Sequence, residues 1–199
     1  WLKLSVSGKT SHGAEPWQGI NALEQGFGLL ADLREELMRE EHPVLGRSTL
    51  QVTMAEGGIA PNMTPDRAQF LADIRIVPPL NEKEVLNRLE CLIEKRCEVY
   101  NGGLSFTPEI SNYRMPVETG PENQWLHRLK GFIGDNAGET GINYFTDASI
   151  FLTAWPDSPA LLFGPGEPQM CHKPNEYVEI SKYFEAIRVM EKFCWYIAK

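Results

Sequence analysis

The first half of the chain alternates between two hydrophobic periods, and the order of these segments constrains the fold more than any other feature. Leu2, Leu4 and Val6 recur at every second position, which is typical of a strand with one buried face. Residues 20–37 then carry apolar side chains at helical spacing. The rest of this half contains two more alternating runs, a second helical face and a last short strand, at 50–54, 70–77, 81–99 and 104–106.

These segments predict the order β-α-β-β-α-β, the ferredoxin-like arrangement of α+β proteins, over residues 1–115. Both helices of this arrangement lie on one face of an antiparallel sheet, so the other face or an edge of the sheet needs cover. Dimerisation through that surface is an ordinary solution. We therefore expect residues 1–115 to form one domain that associates with a second copy.

Residues 116–199 show a different pattern. Apolar spacing predicts helices over 125–133 and 180–197, and the second helix is expected to turn four side chains inward: Phe184, Ile187, Met190 and Cys194. The stretch 142–152 and the apolar run 160–163, which stops at a Gly-Pro-Gly turn, are interpreted as two short strands, the second of them a buried parallel strand. Two helices and two short strands are too few for an independent α/β core. We interpret this part as half a domain.

Composition limits the partners of the chain. Its 199 residues include 19 Lys and Arg against 27 Asp and Glu, a net charge of −8. Phosphates and anionic membranes repel such a chain, so we expect neither nucleic acid nor a membrane as a partner. The chain has no transmembrane or signal-peptide pattern. Its four cysteines form no C-x-x-C pair and are too few for a disulfide scaffold, and we expect a cytoplasmic protein.

Two histidines lie in loops that suit chemistry. His12 follows the first strand among small residues, which leaves its imidazole free to donate a hydrogen bond to developing negative charge. His172 follows the apolar run 160–163, where ligands gather in open α/β sheets. A neutral imidazole is a common Zn²⁺ ligand, and a carboxylate such as that of Glu176 could orient it. Taken singly, each is more simply an ordinary loop histidine, since one histidine cannot make a metal site.

Several segments occur in a specific order along the chain. The loop after the first strand reads Ser-Gly-Lys-Thr-Ser-His-Gly-Ala-Glu-Pro, followed by Gly-Ile-Asn-Ala, over residues 7–22. Further along are Gly57-Gly58, Pro-Asn-Met-Thr-Pro-Asp and Asp-Ile-Arg, and then three short runs at 146–148, 163–166 and 172–178. In this order the segments resemble the M20 metallopeptidase family, which includes acetylornithine deacetylase, succinyl-diaminopimelate desuccinylase, carboxypeptidase G2 and several dipeptidases.

The resemblance implies a lid or dimerisation domain at 1–115 and the C-terminal portion of an α/β zinc-hydrolase catalytic domain at 116–199. It implies that His12 reaches into the site of the partner subunit of a homodimer and polarises the scissile carbonyl. Asn62 would help to hold the substrate near that carbonyl. Arg75 would bind the carboxylate of a small-molecule substrate, for which a guanidinium fork is well suited.

For the C-terminal part, the resemblance implies that Gly164 offers its backbone to the same carboxylate. It implies that His172 is the last protein ligand of a two-zinc centre that activates a water. Asp147 is placed nearby without a role. The implied reaction is hydrolysis of the amide of an N-acyl amino acid, of the deacetylase or desuccinylase type, or of a dipeptide.

Each lid or loop residue also has a purely structural interpretation. Arg75 can form an exposed ion pair with Asp73, which is worth little. Gly164 can serve only a tight turn, and Asn62 can be a turn residue before Pro65. The ordered set of segments favours the functional interpretation of all three.

The family's amino-terminal half supplies a His-x-Asp segment, a Glu-Glu pair containing the general base and a further acidic ligand, and we find none of these in the chain. Its two Glu-Glu pairs, Glu35-Glu36 and Glu40-Glu41, lie on or just after the first predicted helix, whose charged face explains them. The chain also begins at Trp1, within a strand pattern, and reads like a segment of a longer protein. We therefore expect the chain alone to be inactive and to bind metal poorly. The alternatives are a natural non-catalytic dimerisation or partner-binding module, and the surviving part of a nicked enzyme.

Overall fold

The alternating segments of the first half form an antiparallel sheet. Over the described residues, which are 1–134, 138, 140–171 and 173–198, this computed structural model has strands β1 to β6 in chain order: Leu2–Ser7, Glu41–His42, Gly46–Arg47, Thr49–Gly57, Arg67–Arg75 and Ser105–Ile110. The sheet order is β4-β5-β1-β6 with antiparallel neighbours, and β2 and β3 form a separate small hairpin that the sequence did not predict. The predicted α+β class and β-α-β-β-α-β order are confirmed.

Two helices pack against this sheet. Helix α1 (Ala22–Leu37) begins after Asn21, whose side chain accepts hydrogen bonds from two backbone N–H groups of the first turn. Helix α2 (Glu82–Val99) begins after Asn81, the first residue of the predicted helical segment 81–99, and Asn81 forms a capping box with Glu84. These caps satisfy backbone donors that have no partner within the helix, and so both helices begin where the sequence indicates.

The core lies between the helices and one face of the sheet. Leu4 and Phe70 occupy paired positions on β1 and β5 and are almost completely buried, as are Leu33 of α1 and Leu89 of α2. Burial of each such side chain contributes about 1.5–3 kcal/mol. Residues that alternate with the buried ones point to the opposite face, where Leu71 and its cross-strand partner Met54 are apolar and the others are mostly polar: Lys3, Ser5, Gln69, Asp73 and Arg75. A polar face does not need an apolar cover, which leaves the sheet edges as surfaces for association.

The chain consists of two compact units, Trp1–Pro116 and Val117–Lys199. The second unit contains helices α3 to α5, at Gln124–Ile133, Ala148–Ala154 and Ile180–Ile197, and this confirms the predicted first and last helices. Trp125 of α3 packs edge to face against Phe193 and Tyr196 of α5, at ring-centre distances of 6.3 and 6.1 Å. Aromatic packing therefore joins these two helices.

The prediction of two strands in the second unit is wrong. The end of the stretch 142–152 lies in α4, and the run 160–163 forms no strand ladder within the described residues. A parallel strand needs a neighbouring strand for its hydrogen bonds. Ala160 is instead held by the Thr119 hydroxyl, which donates to its carbonyl at 2.8 Å and accepts from its N–H at 3.0 Å.

The inward face predicted for α5 is also wrong. Phe184, Ile187 and Met190 are 55%, 46% and 43% exposed, and Cys194 is exposed, whereas the buried residues include Ala186 and Val189. Because apolar residues occur around most of this helix, spacing alone did not identify the packed face. None of the helices in the described part of the chain is long and apolar enough to cross a membrane.

Candidate functional site

Two loops at one end of the sheet are joined by backbone hydrogen bonds. The Gly13 N–H donates to the Asn62 carbonyl at 2.7 Å, and the Thr64 N–H donates to the Ser11 carbonyl at 2.9 Å. His12 lies between these two bonds in an isolated β-bridge. The structure thus brings two of the predicted site residues, His12 and Asn62, onto adjoining backbone segments.

Further contacts hold the His12 loop in place. The Ser11 and Thr64 hydroxyl groups are 2.7 Å apart, and Thr64 is buried. At the base of the loop, Lys9 and Ile20 exchange two backbone hydrogen bonds, of 3.0 and 2.7 Å. A Cβ on Gly8 would lie 2.2 Å from the Ile20 carbonyl oxygen, so only glycine allows this close approach. Sequence reasoning did not single out the hydroxyl pair, because only the tertiary pairing of the loops creates it.

The His12 side chain is exposed and has a defined hydrogen-bonding state. The Ala14 N–H donates to His12 Nδ1 at 3.1 Å. Because Nδ1 is the acceptor in this contact, the neutral imidazole carries its proton on Nε2. The group that His12 can offer to a ligand is therefore an Nε2–H donor, which suits a carbonyl oxygen that gains negative charge.

Arg75 lies at the opposite end of the sheet. Strand β5 begins at Arg67, which pairs with Ser7 just before the His12 loop, and it ends at Arg75, which pairs with Thr49. Eight steps along the strand separate these ends, a distance of about 26 Å at about 3.3 Å per residue. Within one copy of the chain, the structure therefore does not bring Arg75 together with His12.

Arg75 forms a bidentate ion pair with Asp73. Arg75 Nε donates to Asp73 Oδ1 at 2.6 Å, and Nη2 donates to Oδ2 at 2.8 Å. The hydrogen bonds from Arg75 lower the pKa of the Asp73 carboxyl group. The ion pair with Asp73, which was the structural interpretation of Arg75, is thus present. The predicted contact of Arg75 with a substrate carboxylate stays a prediction.

The C-terminal site residues are less closely defined. His172 lies outside the described residues. Gly164 is exposed and a Cβ there would meet no atom within 4 Å, so local packing does not require glycine. Asp147 precedes α4 without a side-chain hydrogen bond to its first turn. Among the residues that the structure describes, no three His, Cys, Asp or Glu side chains come together to hold a metal ion.

The fold and the joined loops define a class of protein: an α+β sheet domain with one exposed histidine loop at the end of the sheet, followed by a helical unit. Residues 1–101 match the family model described as the peptidase dimerisation domain of M20 proteins. The chain belongs to this family. The resemblance on which the sequence analysis relied is confirmed.

The chain is similar to several known proteins. Acetylornithine deacetylase from Shigella sonnei (strain Ss046) is 27% identical over 207 residues, which cover 97% of this chain and 51% of that protein. The aminopeptidase PepT from Bacillus cereus ATCC 10987 has a TM-score of 0.69 at 19% identity, over 100% of this chain and 51% of that one. An M20 family metallo-carboxypeptidase from Sulfolobus solfataricus has a TM-score of 0.64 at 15% identity, over 96% and 57%. The chain spans about half the length of these relatives.

Proposed function

We propose that this chain is part of a zinc-dependent amidohydrolase that cleaves the amide of an N-acyl amino acid, of the deacetylase or desuccinylase type, or of a dipeptide. Residues 1–115 would be its lid domain and 116–199 the C-terminal portion of its catalytic domain. The joined loops of His12 and Asn62 carry the proposal, because they hold two hydrogen-bonding side chains at one exposed end of the sheet. The similarity to acetylornithine deacetylase supports an amide substrate.

The separation of the site residues supports a site shared between two subunits. In this proposal, His12 Nε2–H polarises the scissile carbonyl and Asn62 holds the substrate there, while Arg75 and the Gly164 backbone bind its carboxylate. A dipeptide spans only about 7 Å. Because His12 and Arg75 of one chain lie at opposite ends of the sheet, they contact different substrate molecules. We therefore propose that His12 and Asn62 act in the partner's site.

The described residues do not fit a complete metal site, and we derive no step through a metal ion. We propose that His172 is one ligand of a two-zinc centre, and that the remaining ligands and the general base come from polypeptide other than this chain. The chain alone is then inactive and binds zinc poorly. Its location is proposed to be cytoplasmic, which the four free cysteines favour.

The edges of the sheet support association through β4. Strand β6 contains Pro108, which has no N–H to donate, and this weakens its outer edge for pairing. Strand β4 has nine residues, of which Glu56 alone is charged, and it pairs on one side with β5. A second copy can pair antiparallel along β4, with the two-fold axis near Thr53. In this arrangement Glu56 of one copy lies opposite Leu50 of the other, so no like charges face each other. We propose a homodimer of this kind.

Mixed dimers test the shared site. In the protein isolated from its source, His12→Ala and Arg75→Ala should each abolish hydrolysis of an N-acetyl amino acid. Equal co-expression of the two variants should restore about a quarter of the wild-type activity, because half of the dimers are mixed and each has one intact site. His127→Ala is the matched control and should keep full activity. No recovery in isolated mixed dimers would contradict the shared site.

Intact mass distinguishes the enzyme from the non-catalytic module. A natural protein well above 22.5 kDa that hydrolyses N-acetyl amino acids, together with an inactive 199-residue chain, supports the hydrolase. A natural protein near 22.5 kDa without turnover in the presence of zinc would favour a dimerisation or partner-binding module.

A further inference from the structure

The ion pair between Asp73 and Arg75 is bidentate, which is the geometry in which an exposed ion pair can matter. The two residues lie two positions apart on β5, so their side chains share the polar face of the sheet. Both oxygens of the Asp73 carboxylate accept a hydrogen bond from Arg75, at 2.6 and 2.8 Å. The Asp73 side chain is 27% exposed and the Arg75 side chain 47%. Such a bidentate pair fixes the orientation of the guanidinium group as well as its position.

The contact uses one edge of the guanidinium group and leaves another open. A guanidinium carries five N–H donors, and Asp73 accepts from Nε and from one N–H of Nη2. One N–H of Nη1 and the second N–H of Nη2 form the next edge, and the other N–H of Nη1 lies on the Cδ side of the group. That edge has the spacing to bind a second carboxylate through two parallel hydrogen bonds.

We propose that Asp73 is a positioning residue for Arg75: it occupies the Nε–Nη2 edge and so presents the Nη1–Nη2 edge to the carboxylate of the substrate. This inference rests on the proposed function of Arg75. It also assigns a reason for the Asp-Ile-Arg order on the strand, since the residue at i−2 is the nearest one on β5 that shares the face of Arg75.

Two opposing effects decide how Asp73 changes carboxylate affinity. Its negative charge repels a second carboxylate, but the two carboxylates lie on different edges of the guanidinium and in contact with water, whose high dielectric constant weakens the repulsion. Its hydrogen bonds remove rotational freedom that an unpaired arginine side chain loses only on binding. At this exposed site the ordering effect is the larger, so removal of Asp73 should weaken binding rather than strengthen it.

Acetate binding to the 199-residue chain tests the inference. Acetate replaces chloride stepwise, so that the ionic strength stays constant. The backbone amide signals of residues 74–76 are followed by NMR during this titration. We expect Asp73→Ala to raise the apparent Kd for acetate about fivefold. Asp73→Asn keeps an oxygen acceptor for Nε and should stay within about twofold of the wild-type Kd. The Nε–H signal of Arg75 is assigned from its disappearance in Arg75→Lys. This N–H should exchange slowly with water in the wild type and faster in Asp73→Ala, where the carboxylate that accepts its hydrogen bond is missing.

The outcomes separate the two levels of the proposal. If Arg75→Gln, which removes the positive charge, binds acetate as wild type does, Arg75 is not a carboxylate site and its proposed function fails. If Arg75→Gln weakens binding while Asp73→Ala leaves the Kd unchanged or lowers it, only the positioning role is overturned. A purely structural ion pair would change unfolding and the exchange of the Arg75 Nε–H in Asp73→Ala, but it would leave the Kd for acetate unchanged.

Discussion

Replacement of Thr64 by Val tests whether the hydroxyl pair beside His12 holds the two site loops together. Thr64 is 7% exposed, and its hydroxyl lies 2.7 Å from that of Ser11. Val keeps the shape of the side chain and removes only the hydrogen bond. A bond of this kind contributes about 1 kcal/mol net. We expect the free energy of opening the loop to fall by that amount, which is about fivefold in the opening equilibrium.

Hydrogen exchange at the Gly13 amide measures this opening, because that N–H donates across the two loops to Asn62. In Thr64→Val it should exchange about fivefold faster, while amides at the centre of β1 and β5 keep their rates. Ser11→Ala should have the same effect, and the double variant should add little, since both changes remove one bond. An unchanged Gly13 rate in Thr64→Val would refute the reasoning.

Three further changes test the fold. Gly8→Ala places a Cβ 2.2 Å from the Ile20 carbonyl oxygen and should lower the free energy of unfolding by about 1–3 kcal/mol in urea denaturation. Leu4→Ala leaves a cavity where Leu4 is fully buried and should cost about 2–5 kcal/mol in the same assay. Hydrogen bonds from Arg75 lower the pKa of the Asp73 carboxyl group in the folded chain. The stabilisation that this carboxylate contributes is therefore present above the unfolded-state pKa and is lost as the pH falls through the lower folded-state pKa. Asp73→Asn should remove this part of the acid-unfolding profile.

Matched variants serve as controls for these measurements. Gly131→Ala lies in α3 where a Cβ meets no atom within 4 Å, and it should stabilise the chain by about 0.5–1 kcal/mol. Trp17 is 75% exposed, and Trp17→Ala should stay within about 0.5 kcal/mol of wild type. A Gly8→Ala chain as stable as wild type, or a Leu4→Ala loss no larger than that of Trp17→Ala, contradicts the structural account. An acid profile that Asp73→Asn leaves unchanged contradicts the assigned pKa shift.

The N-terminal elements could be predicted because each is specified locally and packs within its own unit. Alternation in β1 and β5 and the capping residues Asn21 and Asn81 are consistent with the sheet and helices that form. The second unit lacks this agreement. Its run 160–163 has the composition of a buried strand, but strand formation depends on a neighbour that the described residues do not contain.

The amino-acid sequence by itself determined the order of the elements of the N-terminal domain, the helix starts and the motif residues of the M20 family. Hydrophobic period and capping chemistry act over a few neighbouring residues, so the linear sequence contains them. Only the tertiary structure decided that the His12 and Asn62 loops meet, that Arg75 lies at the far end of the sheet, and that Asp73 occupies one edge of its guanidinium. These relations depend on strand register and side-chain rotamers, which packing across the whole sheet selects.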